Sequence, residues 1–330
     1  MKKKVLLIAP LFFDYYKDIM DELRMMGYDP DYICDAPSNS NLSKAVGRIN
    51  KKFIKSFTAK YFKEKVLPQI CSVEYDYVFV VAGMTFAFDA EMVGEIKNKQ
   101  KKAKFCMYQW DSEKNLPYST TIHKYFDSLF TFDRFDAERD NKYIFLPLFY
   151  NRTFENIGKA MTQHFKYDCF YVGTAHPKKY QEVNEMANAL KDKLKRQYIY
   201  HYMPSKLKYV YHKLLAPEYK KAKLSDFKLD KLSKDQIAKI MTVTECVLDA
   251  PQAGQTGLTI RTIECLGAKK KLITTNSDIV NYDFYRPENI LVFNGRIDET
   301  SPFFSSEFIK LDNVVYEKYS LRNWIKTILN

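Results

Sequence analysis

The 330-residue sequence has no CxxC pair, no Cys/His cluster and no long hydrophobic run. Its six cysteines are scattered singly, with no spacing that could hold zinc. We therefore expect them to act as small hydrophobic side chains in a reducing compartment. No window approaches the roughly 18 apolar residues that a membrane-spanning helix needs. The cysteine spacing therefore excludes a zinc-finger protein. The absence of a long apolar run argues against an integral membrane protein and favours a cytoplasmic one.

The first residues, MKKKVLLIAP, place lysines before an apolar run, as a signal peptide does. The run is only about nine residues long, Pro10 interrupts it, and no small-residue cleavage site follows. We therefore interpret Val5 to Ala9 as a buried first strand. The expected location is the cytoplasm, with at most a peripheral attachment to the inner face of the cell membrane.

Apolar segments typical of buried strands alternate with segments of helical spacing along the chain. In the first half the strand-like segments are KVLLIAP, DPDYICDAP, YDYVFVVAG, KAKFCMYQWDS, SLFTFD and KYIFLPLFY. After a polar segment over 151–167, which we predict to be irregular, they are DCFYVGTAH, RQYIYHYM, ECVLDAP, KLITTN and NILVFN. This alternation indicates an α/β protein with parallel sheets. We predict two Rossmann-like, doubly wound domains, over residues 1–155 and 166–315.

The stretch PQAGQTGLTIRTIECLGAKKKLITTN follows the strand-like segment ECVLDAP, where doubly wound sheets bind ligands. Thr256 is the predicted N-cap of the next helix, and Gly257 lets the backbone approach a ligand closely. Free N–H groups and the helix dipole at such an end suit a diphosphate. Gln255, Thr256, Gly257 and Thr259 are therefore candidate phosphate-binding residues.

Two charged residues lie one turn further along this predicted helix. At about 100° per residue, Gly257, Arg261 and Glu264 share one face, while Ile260 and Ile263 point toward the sheet. Arg261 would neutralise the phosphates of a nucleotide sugar, and Glu264 would accept hydrogen bonds from ribose hydroxyls. The alternative is an i,i+3 ion pair worth roughly a few tenths of a kcal/mol. The residues alone favour neither interpretation.

TIECLGAKKKLITTN is similar to the donor-binding segment of GT-B glycosyltransferases, in which a Gly-rich loop, a helix, a carboxylate and an E-x-x-G-strand recur in order. Together with QWDS, FTFDRFDAERD, FLPLFY and FYVGTAHPKKY, it resembles bacterial lipopolysaccharide and capsular polysaccharide glycosyltransferases, some related to CgeB-type proteins. The resemblance implies a GT-B fold, with two Rossmann-like domains facing across a crevice. It also implies that Glu264 binds ribose and that a C-terminal helix over 316–330 packs back toward the first domain. Many retaining members carry a second glutamate where this chain has Thr256, so inverting and retaining mechanisms both stay open.

Further candidates follow from the predicted strand ends. FYVGTAHPKKY opens the second half, and Gly173, Thr174 and His176 would add donors to the same diphosphate. The alternative is an ordinary turn at the end of a strand. The two lysines that follow, Lys178 and Lys179, fit a solvated surface equally well.

Inverting transfer needs a general base that takes the proton of the acceptor hydroxyl. Asp111, in MYQWDSEKN just past a buried strand, is the first candidate. Asp14, in LFFDYY after the first strand, is the second, because inverting GT-B enzymes often place their base in that loop. Either side chain could instead cap the next helix. We predict no metal site and no cofactor apart from the nucleotide sugar, which is a co-substrate.

The net charge of +12 is concentrated in residues 191–234, which hold thirteen Lys/Arg against four Asp/Glu, with tyrosines interleaved. One interpretation is a solvated helical face. A second is a peripheral contact with an anionic membrane surface, as an enzyme with a polyprenyl-linked acceptor would need. A nucleic-acid surface is the third, and no nucleic-acid partner is expected because nothing here resembles a nucleic-acid-binding module.

The function that the sequence favours is metal-independent transfer of a sugar from a nucleotide-sugar donor to a lipopolysaccharide or capsule acceptor. One alternative is transfer of a phosphoalcohol by a teichoic-acid-type enzyme of the same fold. The other is a non-enzymatic, basic protein that binds nucleotides or nucleic acid.

Overall fold

The computed structural model describes residues 2–37, 51–160, 164–251 and 257–330. The chain divides into two compact units, one formed by Met1–Pro147 with Leu321–Asn330 and the other by Leu148–Ser320. Each unit contains one six-stranded sheet, and every paired strand in both sheets runs parallel to its neighbours. The prediction of an α/β protein with two Rossmann-like, doubly wound sheets is confirmed.

In the first unit the strands follow the order β2-β1-β3-β4-β5-β6. The buried strands are apolar runs, and Val5 to Ala9 are all at most 2% exposed, because helices cover both faces of a parallel sheet. The strands are β1 (Lys4–Ala9), β2 (Asp29–Cys34), β3 (Tyr77–Ala82), β4 (Lys104–Gln109), β5 (Ser128–Thr131) and β6 (Tyr143–Phe145). The α-helices between them are α1 (Tyr15–Met25), α2 (Lys51–Tyr61), α3 (Leu67–Ser72), α4 (Ala90–Lys99) and α5 (Arg134–Arg139), with a π-helical turn at Phe62–Val66.

The second unit has the strand order β12-β11-β10-β7-β8-β9. The direction of winding reverses between β7 and β10, which is the switch point where doubly wound sheets bind ligands. The strands are β7 (Tyr167–Thr174), β8 (Gln197–Tyr202), β9 (Phe227–Lys228), β10 (Thr244–Asp249), β11 (Lys271–Thr274) and β12 (Ile290–Val292). The helices are α6 (Arg152–Ala160), α7 (Pro177–Leu190), α8 (Lys206–Leu215), α9 (Lys234–Thr242), α10 (Ile260–Gly267), α11 (Pro302–Ser305) and α12 (Asn313–Lys318).

Helix α6 lies in the segment that we predicted to be irregular, and that prediction is wrong. Phe154 and Ile157 are buried at helical spacing, and the Asn151 carboxamide accepts a hydrogen bond from the Thr153 N–H at 3.1 Å. The helix belongs to the second unit, which begins at Leu148, whereas the predicted second domain begins at residue 166.

The last helix, α13 (Leu321–Leu329), belongs to the first unit. Trp324 is 1% exposed, and its ring centre lies 5.4 Å from that of Phe79 and 4.7 Å from that of Tyr108. Arg322 pairs with the buried Glu22 at 3.1 Å. In the part of the chain that the structure describes, no helix is both long and apolar enough to cross a bilayer.

Candidate functional site

In the second unit, polar side chains gather where β7 and β10 end. Tyr171 of β7 is 1% exposed, and its hydroxyl has no hydrogen-bond partner among the described residues. Burial raises the pKa of this phenol, and the charge of Asp249 on β10 raises it further. A Cβ atom at Gly173 would lie 2.3 Å from the Tyr171 hydroxyl, so only glycine leaves room for this ring. The first candidate glycine therefore has a packing role that its sequence context did not indicate.

Lys179, in the first turn of α7, lies inside this group. Its side chain is 18% exposed, and its Nζ lies 4.0 Å from a carboxylate oxygen of Asp249 and 5.9 Å from the ring centre of Tyr171. Burial lowers the pKa of Lys179, and the Asp249 charge opposes that shift. The neighbouring Lys178 is 61% exposed. The sequence did not distinguish the two lysines, whereas in the structure Lys179 is mostly covered and Lys178 is exposed.

Asp249 ends β10 and organises the start of α10. Its carboxylate is 1% exposed and accepts hydrogen bonds from the Thr259 hydroxyl at 2.6 Å and the Thr262 hydroxyl at 3.0 Å. The Thr259 oxygen also accepts from the Thr262 N–H at 3.2 Å, so Thr259 is the N-cap. The predicted cap at Thr256 is wrong, because α10 begins only at Ile260.

Thr256 and Gln255 lie outside the described residues, so their contacts with phosphate stay predictions. Gly257 is described and buried. Thr259 is described as well, and the structure gives its hydroxyl a capping role toward Asp249. Its predicted role in binding a ligand stays a prediction.

Arg261 and Glu264 form the ion pair that the sequence offered as the alternative interpretation. The Arg261 Nη1 lies 2.5 Å from a Glu264 carboxylate oxygen, and the two side chains are 14% and 3% exposed. The Arg261 Nε is buried and has no hydrogen-bond partner among the described residues. An unsatisfied buried donor costs about 1–3 kcal/mol and calls for an explanation, such as a ligand that accepts from it. Arg261 is also near enough to lower the pKa of Lys179.

His176 is the residue before α7 and is half-buried beside positive charges. Burial, together with the charges of Lys208 and Lys179, lowers its pKa to about 4. The ring is therefore neutral at pH 7 and adds no charge of its own. The lysine charges that disfavour protonation of His176 would favour an anion at the same position. Gly173 and Thr174, half-buried, lie on the same strand exit.

In the first unit, Asp111 follows β4 and accepts a hydrogen bond from the Met84 N–H, which follows β3, at 3.0 Å. Burial raises the pKa of this carboxyl above its ordinary value, and the Met84 hydrogen bond partly opposes the shift. The carboxylate thus bridges two strand exits. A general base needs a pKa nearer to neutrality than an ordinary aspartate has, and the direction of this shift suits that role.

Asp14 lies at the start of α1 and is more exposed than Asp111. Its side chain is 56% exposed and pairs with Lys17 at 3.4 Å. It occupies the N-cap position, yet its side chain makes no capping hydrogen bond. Its φ of 59° is a left-handed conformation that costs a non-glycine residue energy and occurs often at functional sites.

Among the residues described, no three His, Cys, Asp or Glu side chains are grouped as a metal ion would require. Metal independence stays a prediction.

No protein-family model and no curated protein matches the sequence. Solved structures do match over almost the whole chain. One is HepE of Anabaena in complex with UDP and glucose, at 9% identity over 99% of this chain and 98% of that one, with a TM-score of 0.56. The lipopolysaccharide outer core galactosyltransferase WaaB in its apo form matches at 10% identity over 99% of each chain, with a TM-score of 0.53. The chain has the GT-B fold.

The same fold appears in UDP-GlcNAc 2-epimerase from Neisseria meningitidis bound to UDP-GlcNAc. This enzyme matches at 10% identity over 99% of this chain and 98% of that one, with a TM-score of 0.55. At such identities the likeness establishes the architecture alone. The function must be argued from the side chains of the site.

Proposed function

We propose that this protein transfers a glycosyl group from a nucleotide-sugar donor to an acceptor hydroxyl. The observation that carries the proposal is a pair of cations at the switch point of the second unit, Lys179 and Arg261, whose side chains are only 18% and 14% exposed. Beside them are two buried donors without a described partner, the Arg261 Nε and the Tyr171 hydroxyl. A diphosphate is an anion that can accept from several such donors at once. The HepE and epimerase structures, by their descriptions, contain UDP or a UDP sugar.

In the proposed reaction, the acceptor oxygen attacks the anomeric carbon and the bond from that carbon to the diphosphate breaks. Lys179 and Arg261 stabilise the negative charge that develops on the departing diphosphate. The N–H groups around Gly173, Thr174 and Gly257 would add to this stabilisation. We propose that no metal ion is needed for this step, because two cationic side chains are already in place.

Glu264 has a positioning role in this proposal, since its carboxylate holds the Arg261 guanidinium at 2.5 Å. The predicted contact with ribose hydroxyls is retained as a second role for the same carboxylate. In the first unit, Asp111 takes the proton of the acceptor hydroxyl, and Asp14 is the second candidate.

For the acceptor we propose a lipopolysaccharide or capsule glycan, free or polyprenyl-linked, at the cytoplasmic face of the membrane. The structural similarity to WaaB, a lipopolysaccharide outer core galactosyltransferase, supports this choice.

Adjacent lysines provide a matched test of donor binding. Lys179→Met should weaken binding of nucleoside diphosphates about 10- to 100-fold, because a charge-assisted hydrogen bond to phosphate contributes about 1.5–3 kcal/mol. Lys178→Met, which removes an exposed lysine one position earlier, should leave the affinity unchanged. Isothermal titration calorimetry with UDP, GDP, ADP and CDP measures both.

The same titrations separate the functions that the sequence left open. Preference for UDP, GDP or ADP supports sugar transfer, whereas preference for cytidine nucleotides indicates phosphoalcohol, Kdo or sialic acid donors. Tight binding of oligonucleotides without a mononucleotide response would support a nucleic-acid-binding protein. Equal affinities of the two lysine variants would contradict the proposed site.

A further inference from the structure

Helix α8 exposes an apolar face to solvent. None of its ten residues is buried. At about 100° per residue, five apolar side chains fall within an arc of about 140° on one side of the helix. Their exposed fractions are high for apolar residues: Leu207 82%, Leu214 78%, Leu215 66%, Tyr211 60% and Val210 49%. A contiguous exposed apolar patch of this kind marks an interaction surface.

The opposite side of α8 is firmly attached to the second unit. The Lys213 ammonium donates to the carbonyl oxygens of Tyr219 at 3.1 Å, Lys220 at 2.8 Å and Ala222 at 2.7 Å. The Tyr209 hydroxyl donates to the Ala222 carbonyl at 3.1 Å. The helix is therefore fixed by its polar side and held with its apolar side outward.

Exposed lysines lie on the flank of this apolar face and in the segment behind the helix. Lys206 is exposed at the start of the helix, on the flank of the apolar arc. Lys220, Lys221 and Lys223 are exposed in the segment that Lys213 holds against α8. The whole segment 191–234 carries nine more basic than acidic residues. The apolar face thus belongs to a positively charged part of the surface, and its partner should offer an apolar interior behind a negative surface.

We infer that α8 lies in the plane of an anionic lipid bilayer, with its leucines among the acyl chains and the lysines among the headgroups. This geometry is typical of interfacial amphipathic helices, whose affinity combines apolar burial with attraction to anionic lipids. Within the basic segment 191–234, the inference assigns lipid contact to one helix, α8, and to one face of that helix. It does not depend on the proposed enzymatic function.

Vesicle co-sedimentation of the full chain tests the inference. The protein should bind phosphatidylcholine vesicles that contain about one third phosphatidylglycerol, and should bind pure phosphatidylcholine much more weakly. The double variant Leu207→Glu/Leu214→Glu should lower the partition coefficient at least about tenfold, since two buried leucines are lost. Val314→Glu is the matched control, because Val314 on α12 is 80% exposed, and it should bind like the wild type. Lys206→Glu/Lys221→Glu should remove the preference for the anionic vesicles.

Equal binding of the leucine double variant and the Val314→Glu control would overturn the inference, as would equal binding to neutral and anionic vesicles. The competing hypothesis is that a second copy of this chain covers the apolar face of α8. Light scattering coupled to size-exclusion chromatography tests it. A dimer that the leucine substitutions dissociate would assign the face to self-association and overturn the lipid proposal. Unchanged melting temperatures of all variants establish that the losses are not due to unfolding.

Discussion

At the scale of single residues, the contact between Gly173 and Tyr171 links packing to the candidate site. A methyl group at residue 173 would lie 2.3 Å from the phenol oxygen and 2.7 Å from the ring carbon that carries it. Because Tyr171 is 1% exposed, its ring has little room to move. The glycine thus allows a buried hydroxyl to lie near Lys179 and Arg261.

We expect Gly173→Ala to lower the free energy of unfolding by about 1–3 kcal/mol, because it overpacks a filled core. Tyr171→Phe removes the phenol oxygen and should recover part of this loss in the double variant. Urea denaturation of the two single variants and the double variant measures the effect. Additive free energies, with no recovery in the double variant, would show that the clash with the hydroxyl is not the cause.

Asp111 leads to a prediction about pH. Because burial raises its pKa, the carboxyl keeps its proton to a higher pH than an ordinary aspartate does. A general base works only when ionised, so kcat/KM should fall as the pH decreases through this raised pKa. Asp111→Asn should abolish this fall of kcat/KM at low pH and reduce kcat by at least about 100-fold. A pH–rate profile with a purified donor and acceptor tests this.

The stability of Asp111→Asn serves as the control. At neutral pH a carboxylate with a raised pKa is less favourable in the folded state than in the unfolded state. An asparagine carbonyl can still accept from the Met84 N–H, so the variant should fold at least as stably at pH 7. If the rate stays near that of the wild type while Asp14→Asn abolishes turnover, the base is Asp14.

At the scale of elements, the clearest feature is the position of α13. This helix follows the second unit in sequence and packs in the first, where Trp324 lies against Phe79 and Tyr108. Its apolar face was predictable from helical spacing. The strands that it covers lie more than 200 residues earlier in the chain.

Trp324→Ala should destabilise the first unit by about 3–5 kcal/mol, because it opens a cavity beneath a helix that covers the sheet. Lys326→Ala, on the exposed side of the same helix, should change stability by less than about 0.5 kcal/mol. Differential scanning calorimetry can measure both. Similar unfolding temperatures for the two variants would contradict the packing described for α13.

The secondary structure shows how much can be predicted from the residue pattern of short segments. Every strand-like segment of the sequence contains a strand, and within the described ranges the structure adds only the two-residue β9. Buried parallel strands are apolar on both faces and so stand out as continuous runs. The start of α10 was misplaced because Thr256 and Thr259 are equally good caps by residue type. Asp249, whose carboxylate holds Thr259, is the residue that distinguishes them.

At the scale of the whole molecule, the fold bears on the reaction, and the distribution of charge bears on the surface that contacts a partner. The GT-B fold is shared by HepE, WaaB and an epimerase, so it limits the chemistry without selecting one reaction. The excess charge is concentrated in 191–234, and within that segment the exposed leucines of α8 mark the face that we propose to contact a lipid bilayer.

The sequence by itself determined the α/β class, the paired sheets and nearly all the strands, because these depend on hydrophobic periodicity within short segments. Only the tertiary structure decided which of Lys178 and Lys179 enters the site and which face of α8 stays uncovered. These properties depend on burial and on charges contributed by distant strands. The carboxylate that meets Lys179 lies 70 positions further along the chain, at Asp249. No local pattern encodes that contact, because it exists only once β7 and β10 are neighbours in the sheet.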